Sequence, residues 1–277
     1  MQDQVDRMSI ALERIATALE ALGPGEDIYS DWRSSPAYVW NGVARPVNAL
    51  EAPPLDLLRG VDRQKDIVCD NVTRLGSGHA AHDMLLWGSR GMGKSALVRA
   101  ATQAAQASGC NLALVQVSPE ALELLPVLFS QLARVDRRFL VYIDDLGFAE
   151  GDGAAPRHLR SWLDGGVQAR PGNVRLAVTS NRRAIVPRHG GEQDDPLNPR
   201  DAVDDMLALA DRFGLSLGFH ACSQEDYLEI LRGYCEAYDL PLDEADALEW
   251  SKRRGARSGR TAWHYVTELA GRAGRQL

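Results

Sequence analysis

Five short apolar runs punctuate the middle of the chain: Met84–Trp87, Leu112–Val117, Phe139–Ile143, Val174–Thr179 and Leu215–Phe219. They are almost purely apolar rather than alternating, which predicts strands buried on both faces, as in a parallel sheet covered by helices. Helical segments are expected before and between them: 62–75, 96–107, one opened by Ser118-Pro119-Glu120, Pro156–Gln168 and Ala202–Ala210. Ser118 occupies an N-cap position there, with Pro119 at the first helical position and an acid after it. Strands alternating with helices predict an α/β fold. After residue 220 only helical periods remain, near 223–237, 243–254 and 260–272, punctuated by Pro241 and Gly255. They predict a small all-helical domain. At the other end, Val5, Met8, Ile15, Leu19 and Leu22 recur at helical spacing until Gly23-Pro24-Gly25. That amphipathic helix either packs on the domain or serves a partner or self-association. Residues 26–55 show little periodicity and are expected to form an irregular arm, anchored by Trp32, Tyr38 and Trp40. The expected division is 1–55, 56–220 and 221–277.

Chemistry enters at Gly88-Ser89-Arg90-Gly91-Met92-Gly93-Lys94-Ser95, which fits G-x-x-x-x-G-K-[ST]. It lies between an apolar strand and a helix running on from Ala96, the context the pattern requires. The glycines let backbone N–H groups turn inward on phosphate oxygens, and the helix dipole adds positive potential. Residues 88–96 are therefore a candidate phosphate cradle, with Lys94 on the β- and γ-phosphates and Ser95 on Mg²⁺. Asp144 and Asp145 end a strand about 50 residues further on, at the sheet edge where open α/β folds bind ligands. Asp144 is expected to support Mg²⁺; Asp145 either orients or deprotonates the attacking water or caps the next element. Asn181 ends the next strand, either as a turn residue or as an amide between γ-phosphate and water. Arg212 sits far from its own nucleotide, placed either to enter a neighbouring subunit's site or to pair with Asp211. Arg260 opens a helix, as a phosphate contact across the cleft or as part of a solvated basic turn. Gly60-Val61 precedes a helix, against an adenine ring or as a simple turn.

Composition narrows the partners. The chain has 277 residues, 45% hydrophobic and 25% charged, with a net charge of −7. That balance buries a core and does not favour broad nonspecific nucleic-acid binding, while a local basic patch stays open. The four cysteines (Cys69, Cys110, Cys222 and Cys235) form no C-x-x-C pair and are expected to be reduced in a cytoplasmic protein. His220, Cys222 and Cys235 fit no standard zinc spacing. No apolar run reaches the ~18–20 residues of a membrane span, and the polar, mixed-charge N-terminus does not read as a signal peptide.

Taken in order, Gly88–Ser95, Asp144-Asp145, Asn181, Asp211-Arg212-Phe213 and Arg260 resemble the Walker A, Walker B, sensor 1, arginine finger and sensor 2 elements of AAA+ P-loop ATPases. The resemblance covers about residues 56–277. Within that class, Trp87–Ser95, Thr179–Arg183 and Asp211–Leu215 resemble a bacterial group known mainly as a domain of unknown function. It implies a three-layer parallel sheet of order 5-1-4-3-2, a helical lid, ATP and Mg²⁺ as cofactors, hydrolysis of the β–γ bond, and a homo-oligomeric ring, with a hexamer as the candidate size; it implies little about the substrate, and the expected partner is an unidentified protein client. Two departures stand out. Asp145 occupies a position where such ATPases commonly carry Glu, so hydrolysis is expected to be slow or to use another base such as Glu150. Ser118–Arg134 reads as plain helix with no aromatic–apolar–Gly pore loop. A nucleotide-dependent switch or loader with negligible turnover is the alternative. A small-molecule kinase leaves Arg212 and the helical end without a role, and no N-K-x-D element supports a GTPase.

Overall fold

A computed structural model describes residues 31–146, 170–181 and 211–277. The expected helices over 1–22, Pro156–Gln168 and Ala202–Ala210, and Glu150 with them, lie outside the described residues. The framework is a seven-stranded sheet: β1 (Ala37–Trp40), β2 (Ala44–Val47), β3 (Met84–Gly88), β4 (Leu112–Val117), β5 (Arg138–Ile143), β6 (Val174–Ser180) and β7 (Leu215–Phe219). Their order is β2-β1-β4-β5-β6-β3-β7. Read from β7, the five anticipated strands run 5-1-4-3-2, all parallel.

The sheet is buried on both sides. Leu140, Tyr142, Met84, Leu86 and Ala177 face a cluster formed with α1 (Asp62–Gly76) and α2 (Lys94–Ala107). Phe139, Val141, Ile143, Leu176 and Leu85 face the opposite cluster with α3 (Leu125–Leu132). Both faces being apolar explains why the strands read as continuous runs. α4 (Gln224–Ala237), α5 (Glu244–Arg253) and α6 (Gly259–Arg272) follow. Ser223 and Asp226 form a capping box on α4, and Asp243 and Ser258 cap the next two helices. Tyr227, Leu231, Tyr265 and Val266 of these helices join the α1–α2 cluster. No helix among the described residues is long and apolar enough to cross a membrane.

Two expectations are corrected. Residues 37–47 are not an irregular arm but a hairpin that adds two strands, β1 parallel to β4 and β2 antiparallel to β1. The aromatics anchor it: Trp32 lies 4.7 Å from Tyr38 and 6.0 Å, edge-on, from Phe139. Arg137 clamps its base, donating to the carbonyls of Trp32, Ser35 and Leu112. Pro46, which donates no hydrogen bond, is tolerated because β2 is an edge strand. The segment after β4 opens as a 3₁₀ turn, Pro119–Leu124, before α3, and Ser118 makes no side-chain cap.

Candidate functional site

The β3–α2 loop is shaped by glycines in the left-handed region, where a side chain is strained. A Cβ on Gly88 (φ +117°) would lie 2.2 Å from the Phe219 carbonyl oxygen, which already accepts the Ser89 N–H at 2.8 Å. Gly93 (φ +84°) sits in the left-handed region and starts α2 without a side-chain cap. The first-turn amides of α2 thus lack the intrahelical and capping partners that a side chain would supply, an arrangement suited to phosphate.

The loop borders a cleft of about 520 Å³. Arg90, Gly91, Met92, Gly93, Lys94, Ser95 and Ala96 line it, with Asp144, Asp145, Asn181, Arg260 and Val61. Gly88, Ser89 and Gly60 do not. Gly88 and Ser89 lie beneath the loop, their carbonyls holding the Lys94 ammonium at 2.9 and 2.8 Å, and the Ser89 amide is spent on Phe219. Lys94 also donates to Asn181 Oδ1 at 3.0 Å. Burial pulls its ammonium below the ordinary value, Asp145 and Asp144 oppose that, and Arg90 and Arg260 depress it further. Five basic side chains line the cleft (Arg59, Arg90, Lys94, Arg99, Arg260) against two acids, Asp144 and Asp145. The surplus positive charge suits a polyphosphate.

At the strand tips the register brings the acids together. Ile143 pairs with Val178, so Asp144 stands beside Thr179. Asp144 Oδ1 accepts from Ser95 Oγ and from Thr179 Oγ1, both at 2.7 Å. Burial raises the Asp144 carboxyl, but the neighbouring hydroxyls of Tyr142, Thr179 and Ser95 outweigh it, so the group stays below the usual carboxylate range and ionised. Thr179 Oγ1 accepts the Asp145 N–H at 2.8 Å. Asp145 adopts φ +50°, a left-handed conformation that Asp tolerates far better than most residues. Its carboxylate accepts from Asn181 Nδ2. One chain of contacts therefore runs Lys94–Asn181–Asp145, and another Ser95–Asp144–Thr179.

Ser95 and Asp144 offer the hard oxygens that Mg²⁺ takes, one or two from protein and the rest from water and phosphate. Among the described residues no cluster of His, Cys, Asp or Glu could hold a metal unaided. Leu57, Leu58, Val61, Ile230, Tyr234 and Trp263 give the cleft an apolar wall. Sequence reasoning missed most of this wall, whose residues come from distant segments, and it missed Thr179, which only the β5–β6 register identifies. Arg260 reaches the cleft because its backbone N–H donates to the Gly91 carbonyl at 3.1 Å. Arg212 is elsewhere. β7 runs parallel to β3, pairing Leu215 with Met84 and Phe219 with Gly88, so Arg212 lies beyond the far end of the strand, with about 16 Å of it in between.

A parallel five-stranded order with this loop between its central strand and α2 defines the AAA+ P-loop fold, and solved structures agree. The chain superposes on the Thermotoga maritima RuvB Holliday junction branch migration motor with a TM-score of 0.51 and 18% identity, covering 82% of this chain and 68% of that one. For Aeropyrum pernix Orc1 in complex with DNA the values are 0.54, 16%, 82% and 66%. The chain belongs to the family described as a protein of unknown function, DUF815, whose model matches residues 33–273. No curated protein matches it.

Proposed function

We propose that the protein is an ATPase: it binds ATP with Mg²⁺ and hydrolyses the β–γ bond, driving motion of its C-terminal helices, as a lid, and of neighbouring subunits. The observation that carries this is the junction of an uncapped α2 with the Lys94–Asn181–Asp145 and Ser95–Asp144–Thr179 chains in one cleft. Lys94 leaves the Gly88 and Ser89 carbonyls for the β- and γ-phosphates. Ser95 and Asp144 hold the metal. Asn181 and Asp145 position the attacking water, Asp145 accepting its proton. Bound Mg²⁺ supplies charge neutralisation at the β- and γ-oxygens. The apolar wall receives the base, and Arg260 senses the γ-phosphate from the lid. Arg212 acts, on this reading, on a neighbour's nucleotide in a homo-oligomer.

The alternative, an ATP-dependent switch or loader, is favoured by one observation: the Asp145 carboxylate is tied to Asn181 rather than free over the cleft. Net acidity does not exclude a nucleic-acid client, since a protein of like fold is seen with DNA, so both protein and nucleic acid stand as clients. Reduced thiols fit the cytoplasm, since all four cysteines are free. The test is equilibrium binding of ATP with and without Mg²⁺, followed by steady-state phosphate release. Tight binding, with turnover abolished in Asp145→Asn, supports the ATPase. Binding with no turnover supports the switch, and absence of binding refutes both.

A further inference from the structure

Tyr142 on β5 is a buried polar residue that the chemistry above leaves unused. Its side chain is 1% exposed, and its hydroxyl oxygen is buried without a hydrogen-bond partner among the described residues. Strand alternation puts it on the same face of β5 as Asp144, two residues on, and beside the small Ala177 of β6, which leaves room for the ring. The hydroxyl interacts electrostatically with the side chains of Asp144, Ser95 and Thr179. A buried hydroxyl with no acceptor is unfavourable. Phenylalanine would fill the same space without that penalty, so the hydroxyl is accounted for by a state in which it has an acceptor.

Asp144 supplies one. Its Oδ1 already accepts two hydrogen bonds, from Ser95 and Thr179, while none among the described residues is donated to Oδ2. A carboxylate held through one oxygen alone is poorly fixed for work on a metal, because its supporting partners set its orientation. We infer that Tyr142 is a positioning residue for the metal site: its hydroxyl donates to the Asp144 carboxylate when nucleotide and metal load the cleft, fixing the orientation in which Asp144 supports Mg²⁺. This rests on the ATP·Mg²⁺ reading of the same cleft. It gives the site a support that lies below the sheet edge and touches neither nucleotide nor metal.

The test uses the full-length chain and Tyr142→Phe, with Mn²⁺ as a paramagnetic stand-in for Mg²⁺. Three measurements separate positioning from packing. Urea unfolding without nucleotide or metal is expected to show Tyr142→Phe as stable as wild type or more so. ATP affinity in EDTA is expected to be unchanged. Mn²⁺ affinity of the ATP-loaded protein, read by electron paramagnetic resonance, is expected to weaken about ten-fold, the scale of one hydrogen bond to a charged group. In an Asp144→Asn background the same substitution is expected to add no further loss of Mn²⁺ affinity. Wild-type Mn²⁺ affinity in Tyr142→Phe, or an equal further loss in the Asp144→Asn background, overturns the inference while leaving the ATP reading intact. A wild-type protein that takes up no Mn²⁺ with ATP overturns both.

Discussion

Replacing Gly91 by alanine probes the joint between the phosphate loop and the C-terminal helices. Gly91 sits at φ +75°, and a Cβ there would lie 2.8 Å from Ser258 Oγ, 3.0 Å from Ser258 Cβ and 3.2 Å from Arg260 Cβ. Its carbonyl accepts the Arg260 N–H, and Ser258 caps α6 by accepting from Thr261 N at 3.1 Å. Three effects follow. Left-handed strain in a residue with a side chain costs about 1–2 kcal/mol, offset by about 0.4–1 kcal/mol from the stiffer unfolded chain. Displacing Ser258 loosens a cap worth about 1 kcal/mol. Drawing α6 away lengthens the Arg260–Gly91 bond, worth about 1 kcal/mol. The sum is about 2–3 kcal/mol in urea unfolding. Because Arg260 leaves the cleft with the helix, ATP affinity is expected to fall about ten-fold by calorimetry, the equivalent of about 1.4 kcal/mol. Ser258→Gly removes the two nearest atoms the new methyl would strike, Ser258 Oγ and Cβ, and leaves Arg260 Cβ at 3.2 Å; glycine at an N-cap costs only a few tenths of a kcal/mol. The double variant should therefore recover about 1 kcal/mol relative to the sum of the singles. Strict additivity, or an unaltered ATP affinity in Gly91→Ala, would falsify the claim that α6 is seated on this loop.

Two further outcomes concern the subunit interface and the buried groups of the C-terminal segment. Neither Lys94→Ala nor Arg212→Ala alone should release phosphate, yet an equimolar mixture should recover about a quarter of the wild-type rate, since one interface in four then joins an intact loop to an intact arginine; no recovery in a mixture that still assembles refutes action across subunits. Burial pushes the Cys222 thiol up to about 11 from 9.0 and the Tyr227 phenol up to about 12 from 10.0. Both folded values exceed the unfolded ones, so their contribution is fully present below about pH 9 and lost as pH rises through 11 and 12. The urea midpoint should fall over that window, less steeply in Cys222→Ala, and a flat profile would contradict the burial of these groups.

The sequence disclosed the five parallel strands because burial on both faces forces apolar residues at every position, a signal that survives without knowledge of neighbours. The same physics hid the hairpin. β1 and β2 are only four residues each, Ala37–Trp40 and Ala44–Val47, and β2 carries Arg45 and Pro46, which argue against a strand unless it is known to be an edge. What makes them strands is tertiary: Tyr38 and Trp40 are 1% exposed because Trp32 and Phe139 cover them, and Arg137 supplies the hydrogen bonds that tie Trp32 and Ser35 to β4. None of those partners is local, so no window of sequence contains the reason.

For the cleft, the split falls between identity and state. Lys94, Ser95, Asp144, Asp145 and Asn181 were legible because their spacing follows from a strand–loop–helix and two strand tips. Which contacts they make was not. The aspartate where Glu is common has a local cause: the backbone at 145 turns left-handed so that its N–H meets Thr179 Oγ1, a turn that favours Asp over longer side chains. That turn brings the short carboxylate to Asn181, and Asn181 in turn holds Lys94. The cation and the acid to which the proposed ATPase assigns the phosphates and the water's proton are thus restrained by one amide. On the proposed ATPase reading, a triphosphate that draws Lys94 off Asn181 would free the amide to reorient, and with it Asp145, so phosphate capture and readiness of the acid would be coupled through a single side chain rather than through two independent ones.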